Sequence, residues 1–84
     1  SEYNFEHANT ENLFKMFDMF EIEAKSLVEK KLSLPAYDQC LKTSHVFNIL
    51  DARGAISVAQ RAGYIGRIRE ITKAAAGAWL DSQI

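Results

Sequence analysis

The stretch that decides the fold is 10–31, which reads TENLFKMFDMFEIEAKSLVEKK. Its apolar residues recur at steps of three and four, a spacing that places them on one face of an α-helix. Asn9 can accept a hydrogen bond from a free amide of the first turn, and Glu11 suits the positive end of the helix dipole. We therefore predict a first helix from about Thr10 to Lys31. Its expected buried face consists of Leu13, Phe14, Phe17, Phe20, Ala24, Leu27 and Val28.

A second helix is predicted to begin at Pro35. Proline suits the first helical position, because the amide that it lacks would be unpaired there in any case. The segment 51–56, DARGAI, is predicted to be a connector, since it contains a glycine between two apolar runs. The expected apolar face of this helix consists of Tyr37, Cys40, Leu41, Ser44 and Phe47, with Ile49 and Leu50 at its end.

A third helix is predicted to open with Ser57-Val58-Ala59-Gln60. This is the pattern of a capping box, in which serine bonds forward to the first turn and glutamine, three residues later, bonds back. The expected apolar stripe that follows consists of Ala62, Ile65, Ile68, Thr72, Ala75 and Trp79. No stretch shows the strict alternation of a β-strand.

These patterns predict an all-α protein, a small three-helix bundle with antiparallel neighbours and short connections. The length of 84 residues suffices for one small domain, and 48% apolar with 25% charged residues is typical of a soluble globular chain. We expect residues 9–84 to form the bundle. Residues 1–8 are expected to be a lead-in from a preceding domain, with Tyr3 and Phe5 packed onto that domain.

Charge is distributed unevenly along the chain. The net charge of −1 argues against a general polyanion binder, yet residues 1–42 carry −3 and residues 43–84 carry +2, with all four arginines in the second half. The single cysteine cannot form an internal disulfide, and no Cys/His cluster has zinc spacing. With no apolar run long enough to cross a membrane and no signal peptide visible, we expect a cytoplasmic protein.

Two long motifs resemble one known family. Residues 45–58, HVFNILDARGAISV, and 60–69, QRAGYIGRIR, are similar to the pattern HxFNxLDARGAISVxxRxxYIxRIR of glycyl-tRNA synthetase α subunits. The stretches 3–11, YNFEHANTE, and 34–38, LPAYD, also resemble that family. The sequence departs from it at Ala59-Gln60, where many relatives are expected to have Thr-Glu, but glutamine preserves the capping box.

The resemblance implies a parent enzyme and a place within it. The chain would be the C-terminal helical domain of the α subunit of a bacterial-type, α2β2, class II synthetase. The parent would join glycine to tRNA(Gly) through glycyl-adenylate, using ATP and Mg²⁺, with a second α subunit and the β subunit as partners. The family's catalytic antiparallel sheet precedes this segment. The segment alone is therefore expected to be inactive, with no catalytic, ATP-binding, glycine-binding or metal-ligating residue of its own.

The basic residues of the second half are the candidate contact residues. Arg69 and Lys73 lie four apart and share a helix face, so they are the leading candidates for contact with RNA or a partner subunit, together with Arg67 and Arg53. The alternative for all of them is pairing with Asp51, Glu70 and acids of the first helix, or ordinary solvated charge. For Arg61 the structural role is favoured.

Other conspicuous residues are interpreted as structural. His45 is expected to pack in the core or between helices, and Cys40 to be a buried small hydrophobe. Gly63 and Gly66 destabilise a helix interior, so we expect another helix, or secondly a nucleic-acid backbone, to approach them closely. Gly-Tyr-Ile-Gly formally matches the Gly-x-x-Gly loop of KH domains, but its apolar middle excludes that interpretation. The aromatics expected in the core are Phe14, Phe17, Phe20, Tyr37, Phe47, Tyr64 and Trp79.

Three roles remain open at this point. The segment could help to place the acceptor end of the tRNA or dock the α subunit on its β partner. It could be purely a protein-interaction module that holds the β subunit or the second α subunit. A free-standing regulator unrelated to synthetases is the third alternative, against which the length of the motif match argues.

Overall fold

A computed structural model of the chain describes residues 9–83. It contains three α-helices, α1 (Thr10–Glu29), α2 (Ser33–Ala52) and α3 (Val58–Ser82), and no strand within that range. The predicted all-α three-helix bundle is therefore confirmed. The expectations for residues 1–8, including those for Tyr3 and Phe5, lie outside the described residues. None of the three helices combines the length and hydrophobicity that crossing a membrane requires.

The N-termini of α1 and α3 are capped as the sequence predicts. The Oδ1 atom of Asn9 accepts hydrogen bonds from the amides of Glu11 at 2.8 Å and Asn12 at 3.3 Å. At α3, the Gln60 amide donates to Ser57 Oγ at 3.1 Å, and the Ser57 amide donates to Gln60 Oε1 at 3.0 Å. Side chains thus satisfy amides that the helical ladder leaves unpaired.

The second helix begins two residues earlier than Pro35, so that part of the prediction is wrong. Its N-cap is Leu32, and the first main-chain bond of the helix runs from the Ala36 amide to the Leu32 carbonyl at 3.0 Å. Pro35 is the third helical residue, where the missing amide is still one of the unpaired ones. Proline is therefore compatible with several positions in the first turn, and its presence does not identify the residue at which the helix begins.

Both turns between helices have the same closing geometry. After α1, the Leu32 amide donates to Leu27 and the Lys31 amide to Val28, each at 2.9 Å. After α2, the same pair of bonds is formed around Gly54. In each turn the residue before the last donor is left-handed, with φ of 61° at Lys31 and 70° at Gly54. This is the Schellman motif, and it ends α1 two residues earlier than predicted.

The core lies mainly between α1 and α2 and is closed by α3. One buried cluster contains Leu13, Phe17, Val46, Phe47, Ile49, Leu50 and Ile56, with Tyr64, Ile65 and Ile68 partly buried against it. A second contains Ala24, Ala36, Cys40, Ile71 and Ala75. The buried face predicted for α1 is confirmed at Leu13, Phe17 and Ala24. Small residues in the second cluster allow the three helices to approach closely.

The faces predicted for α2 and α3 need correction. Tyr37, Leu41 and Trp79 are about half exposed, and Ala62 is exposed, although all four were expected on buried faces. The positions buried in their place include Ala36, Thr43 and Val46 in α2, and Ile71 and Ala78 in α3. The reason is that α2 packs against both other helices, and the side of α3 that faces them carries Ile71 and Ala78 rather than Ala62 and Trp79.

Candidate functional site

The best-defined polar site on the described surface joins α3 to α1. Arg67 donates from Nε to Glu21 Oε2 at 2.9 Å and from Nη2 to Glu21 Oε1 at 2.6 Å. The same Nη2 lies 2.8 Å from Asp18 Oδ1. Two parallel bonds between a guanidinium and a carboxylate form the planar fork-to-fork arrangement that arginine makes best.

Aromatic rings and burial strengthen this ion pair. The Arg67 guanidinium carbon lies 4.7 Å from the centre of the Phe17 ring and 5.1 Å from that of Tyr64, and those two rings meet edge to face at 4.9 Å. The hydrogen bonds from Arg67 hold the pKa of the Glu21 carboxyl below its ordinary value, although burial opposes them. The Arg67 pKa is raised for the same reason. Both groups are therefore charged at neutral pH.

Two of the sequence candidates consequently have structural partners. Arg67 was a candidate for RNA or partner contact, but its guanidinium is occupied by Glu21 and Asp18. Arg61 pairs with Asp51 at 3.0 Å across the turn between α2 and α3, as the structural interpretation expects. Arg53 is the C-cap of α2, half-buried in that same turn, and is not on the α3 face that carries Arg69 and Lys73.

Arg69 and Lys73 remain on the outer face of α3. Both are exposed, and neither forms an ion pair with any residue in the described range 9–83. Their spacing of four residues places the two side chains about 6 Å apart at Cβ, where like charges repel weakly. Glu70 is exposed beside them and likewise forms no ion pair in the described structure.

An apolar groove runs between the start of α2 and the end of α3. It has a volume of about 230 Å³ and is lined by Ser33, Leu34, Tyr37, Ala75, Ala76 and Trp79. None of these residues is charged. We refer to this feature as the α2–α3 groove. The sequence analysis placed Tyr37 and Trp79 in the core and so missed it; only the crossing of α2 and α3 shows that the two rings line the same depression.

The helix-approach expectation for Gly63 and Gly66 is wrong within the described structure. A side chain added at either position would meet no atom within 4 Å, so none of the described helices packs there. The two glycines instead line a shallow polar hollow of about 360 Å³ with Glu21, Lys25, Arg67 and Glu70. The second expectation, approach of a nucleic-acid backbone, stays a prediction.

Cys40 and His45, both expected to be buried, differ in their exposure in the structure. Cys40 is buried as predicted, and burial raises the pKa of its thiol, partly offset by a hydrogen bond with Thr72. His45 is exposed on α2, so the expectation that it packs in the core or between helices is wrong. A histidine at 45 lies on the side of α2 opposite the one that carries Cys40 and Phe47.

The described residues do not offer a place for the Mg²⁺ that the resemblance implies for the parent enzyme. Across 9–83, no three His, Cys, Asp or Glu side chains are grouped as a metal site would require. The carboxylates of Asp18 and Glu21 are already paired with Arg67.

Comparison with known proteins identifies the family. The sequence model of one family, described as glycyl-tRNA synthetase alpha subunit, matches residues 1–84. The chain belongs to that family. The glycyl-tRNA synthetase α subunit family consists of aminoacyl-tRNA synthetase subunits, so its members belong to a ligase of translation that uses ATP and has tRNA and subunit partners in general. The match covers the helical motifs and the stretch before α1 alike.

Proposed function

We propose that this chain is the C-terminal helical part of the α subunit of an α2β2 enzyme that ligates glycine to tRNA(Gly). The parent enzyme acts in the cytoplasm through glycyl-adenylate, with ATP and Mg²⁺, and its catalytic sheet precedes this segment. The family match over 1–84 supports the parent activity. The segment alone neither binds ATP usefully nor activates glycine, and glycine-dependent pyrophosphate exchange by the purified chain would refute this.

Within that enzyme, the outer face of α3 contacts the tRNA through Arg69 and Lys73. The observation that supports this proposal is a difference in ion pairing among the basic residues of the second half of the chain. Arg61 and Arg67 pair with acids of this chain, whereas Arg69 and Lys73 stay exposed together with no ion pair in the described range. An exposed pair of like charges is stabilised by an external anion, and tRNA phosphates supply one.

The test is reversal of both charges in the intact tetramer, Arg69→Glu with Lys73→Glu. Losing two phosphate contacts and adding two repulsions should raise the KM for tRNA by roughly tenfold and reduce the salt dependence of tRNA binding. Glycine-dependent pyrophosphate exchange, which needs no tRNA, should change little. The matched control is Lys15→Glu with Lys42→Glu, the same charge change at exposed lysines that lie near Glu11 and Asp38 on α1 and α2.

The outcomes of this test separate the roles. An unchanged KM for tRNA, or an equal increase in the control, would contradict the tRNA contact. Loss of the β subunit from the tetramer would instead favour the second role, docking of a subunit. That role has its own supporting observation, because the α2–α3 groove leaves two aromatic side chains about half exposed to solvent.

A further inference from the structure

The α2–α3 groove is an apolar feature that the tRNA contact does not explain. The exposed fractions are 71% for Leu34, 48% for Tyr37 and 46% for Trp79, three of the residues that line it. Contiguous large apolar side chains at one place on a surface are typical of an interaction site, whereas single ones are ordinary. Trp and Tyr are also the residues that most often contribute the largest share of binding energy at protein interfaces.

We propose that the α2–α3 groove receives an acidic amphipathic helix from another polypeptide. The proposal deepens the docking role described above and rests on it. The groove lies between two helices, so a third helix can lie along it with aliphatic side chains spaced three and four residues apart. Its anchors would fill the depression lined by Tyr37, Trp79, Ala75 and Ala76.

The charge around one end of the groove selects an acidic occupant. Lys30 and Lys31 are exposed in the turn that leads to Ser33 and form no ion pair in the described part of the chain. The N-cap of α2, Leu32, makes no side-chain hydrogen bond, so the first amides of that helix also present positive partial charge there. Carboxylates on the flank of the docked helix complement both.

The chemistry of the groove argues against the other occupants. Surfaces that bind RNA are polar and strongly positive, whereas the lining of this groove has no charged residue. A second copy that docked groove to groove would present the same lysines, not carboxylates, because a two-fold interface repeats the same patch. A partner polypeptide also accords with the family, whose members are subunits by description.

The first experiment places charge in the groove of the intact α subunit. Leu34→Glu with Ala76→Glu changes two exposed residues that line the groove, so the fold should survive, which a thermal melt of the variant checks. We expect the affinity for the partner subunit, measured by sedimentation velocity, to fall at least tenfold. The matched control is Met19→Glu with Ile22→Glu, two comparably exposed apolar residues on α1, and it should assemble normally. Equal assembly by both variants would overturn the proposal.

The second experiment identifies the occupant directly. A benzophenone-bearing amino acid replaces Leu34, which lines the groove and is largely exposed, in the assembled enzyme, and the crosslinked peptide is mapped by mass spectrometry. A crosslink to a helical segment of the partner subunit with aliphatic anchors and flanking Asp or Glu supports the proposal. Crosslinks only to tRNA, to a second α subunit or to the same α chain overturn it, as does the absence of any crosslink.

The two proposals can fail separately. Lys30→Glu with Lys31→Glu should weaken subunit assembly and remove its dependence on salt, with no effect on the tRNA affinity of whatever tetramer remains. If assembly is unaffected by both groove and lysine variants while Arg69→Glu with Lys73→Glu still raises the KM for tRNA, the groove inference is wrong and the tRNA contact stands. The reverse pattern leaves docking as the role of the segment.

Discussion

Arg67 of α3 and Glu21 of α1 form a two-pronged ion pair, with nitrogen–oxygen distances of 2.9 and 2.6 Å between residues 46 apart in sequence. This is the polar connection between the two helices that the core joins least extensively. The side chain of Glu21 is only 11% exposed, so its charge depends on Arg67 for compensation. The pair thus orients α3, and with it the face that carries Arg69 and Lys73.

The first prediction concerns removal of that guanidinium. Arg67→Met keeps much of the apolar stem but leaves Glu21 without its partner, so the free energy of unfolding of the 84-residue chain should fall by about 1–3 kcal/mol. The lower end of that range reflects the partial exposure of Arg67. Urea unfolding measures the change. Arg69→Met, on the same helix and exposed, should stay within about 0.5 kcal/mol of the native chain, and equal losses would contradict the pairing.

The second prediction is a pH dependence. Because Arg67 lowers the pKa of Glu21 in the folded state, the pair stabilises the fold above the unfolded-state pKa of about 4.3, and this stabilisation is lost as the pH falls through the lower folded-state pKa. Glu21→Gln should be less stable than the native chain at pH 7 but lose less stability between pH 5 and 3. Unfolding free energies across that range test this, and parallel curves would argue against it.

The third prediction concerns the core. Phe17 is fully buried and contacts the Tyr64 ring edge to face at 4.9 Å, so Phe17→Ala should cost about 3–5 kcal/mol, enough to unfold much of so small a domain. Circular dichroism and thermal melts report the loss. Met19→Ala, at an exposed position on the opposite face of α1, should leave stability nearly unchanged. An equally stable Phe17→Ala would mean that the core face is misassigned.

The fourth prediction uses the glycines. Gly63 and Gly66 lie in ordinary helical backbone with open space around them, so alanine at each should stabilise the chain by up to about 1 kcal/mol. Gly54→Ala should instead destabilise it, because φ there is +70°. Melting temperatures of the three single variants distinguish the effects. If the first two variants also lower tRNA affinity in the tetramer, the close approach of an RNA backbone at those glycines gains support.

Much of the local structure followed from nearby residues. Asn9 and the Ser57–Gln60 box marked two helix starts to the residue, because a cap is made by side chains within one turn of the amides that they satisfy. Pro35 was less informative, since proline is compatible with several positions of a first turn. The left-handed residue that ends α1 is Lys31, and sequence reasoning missed it because glycine is the usual signal there.

The candidate site could be predicted less well from neighbouring residues in the sequence. In the sequence, Arg67 is only one of several arginines. Its partner Glu21 lies in another helix, so the spacing of neighbouring residues gives no indication that the two form an ion pair. Tyr37 and Trp79 follow helical steps just as core residues do, and only the rotation of α2 and α3 places them at the surface.

The sequence by itself determined the number of helices, the starts of α1 and α3 and the family, because capping, periodicity and a long motif are properties of neighbouring residues. The tertiary structure decided which arginines pair with acidic side chains, which glycines have no neighbouring helix packed on them and which aromatic rings line the α2–α3 groove. The physical reason is that apolar residues spaced three and four apart cover a broad stripe of a helix, wider than the part that becomes buried. Close packing against the partner helices, together with the Arg67–Glu21 ion pair, determines which part of that stripe is buried.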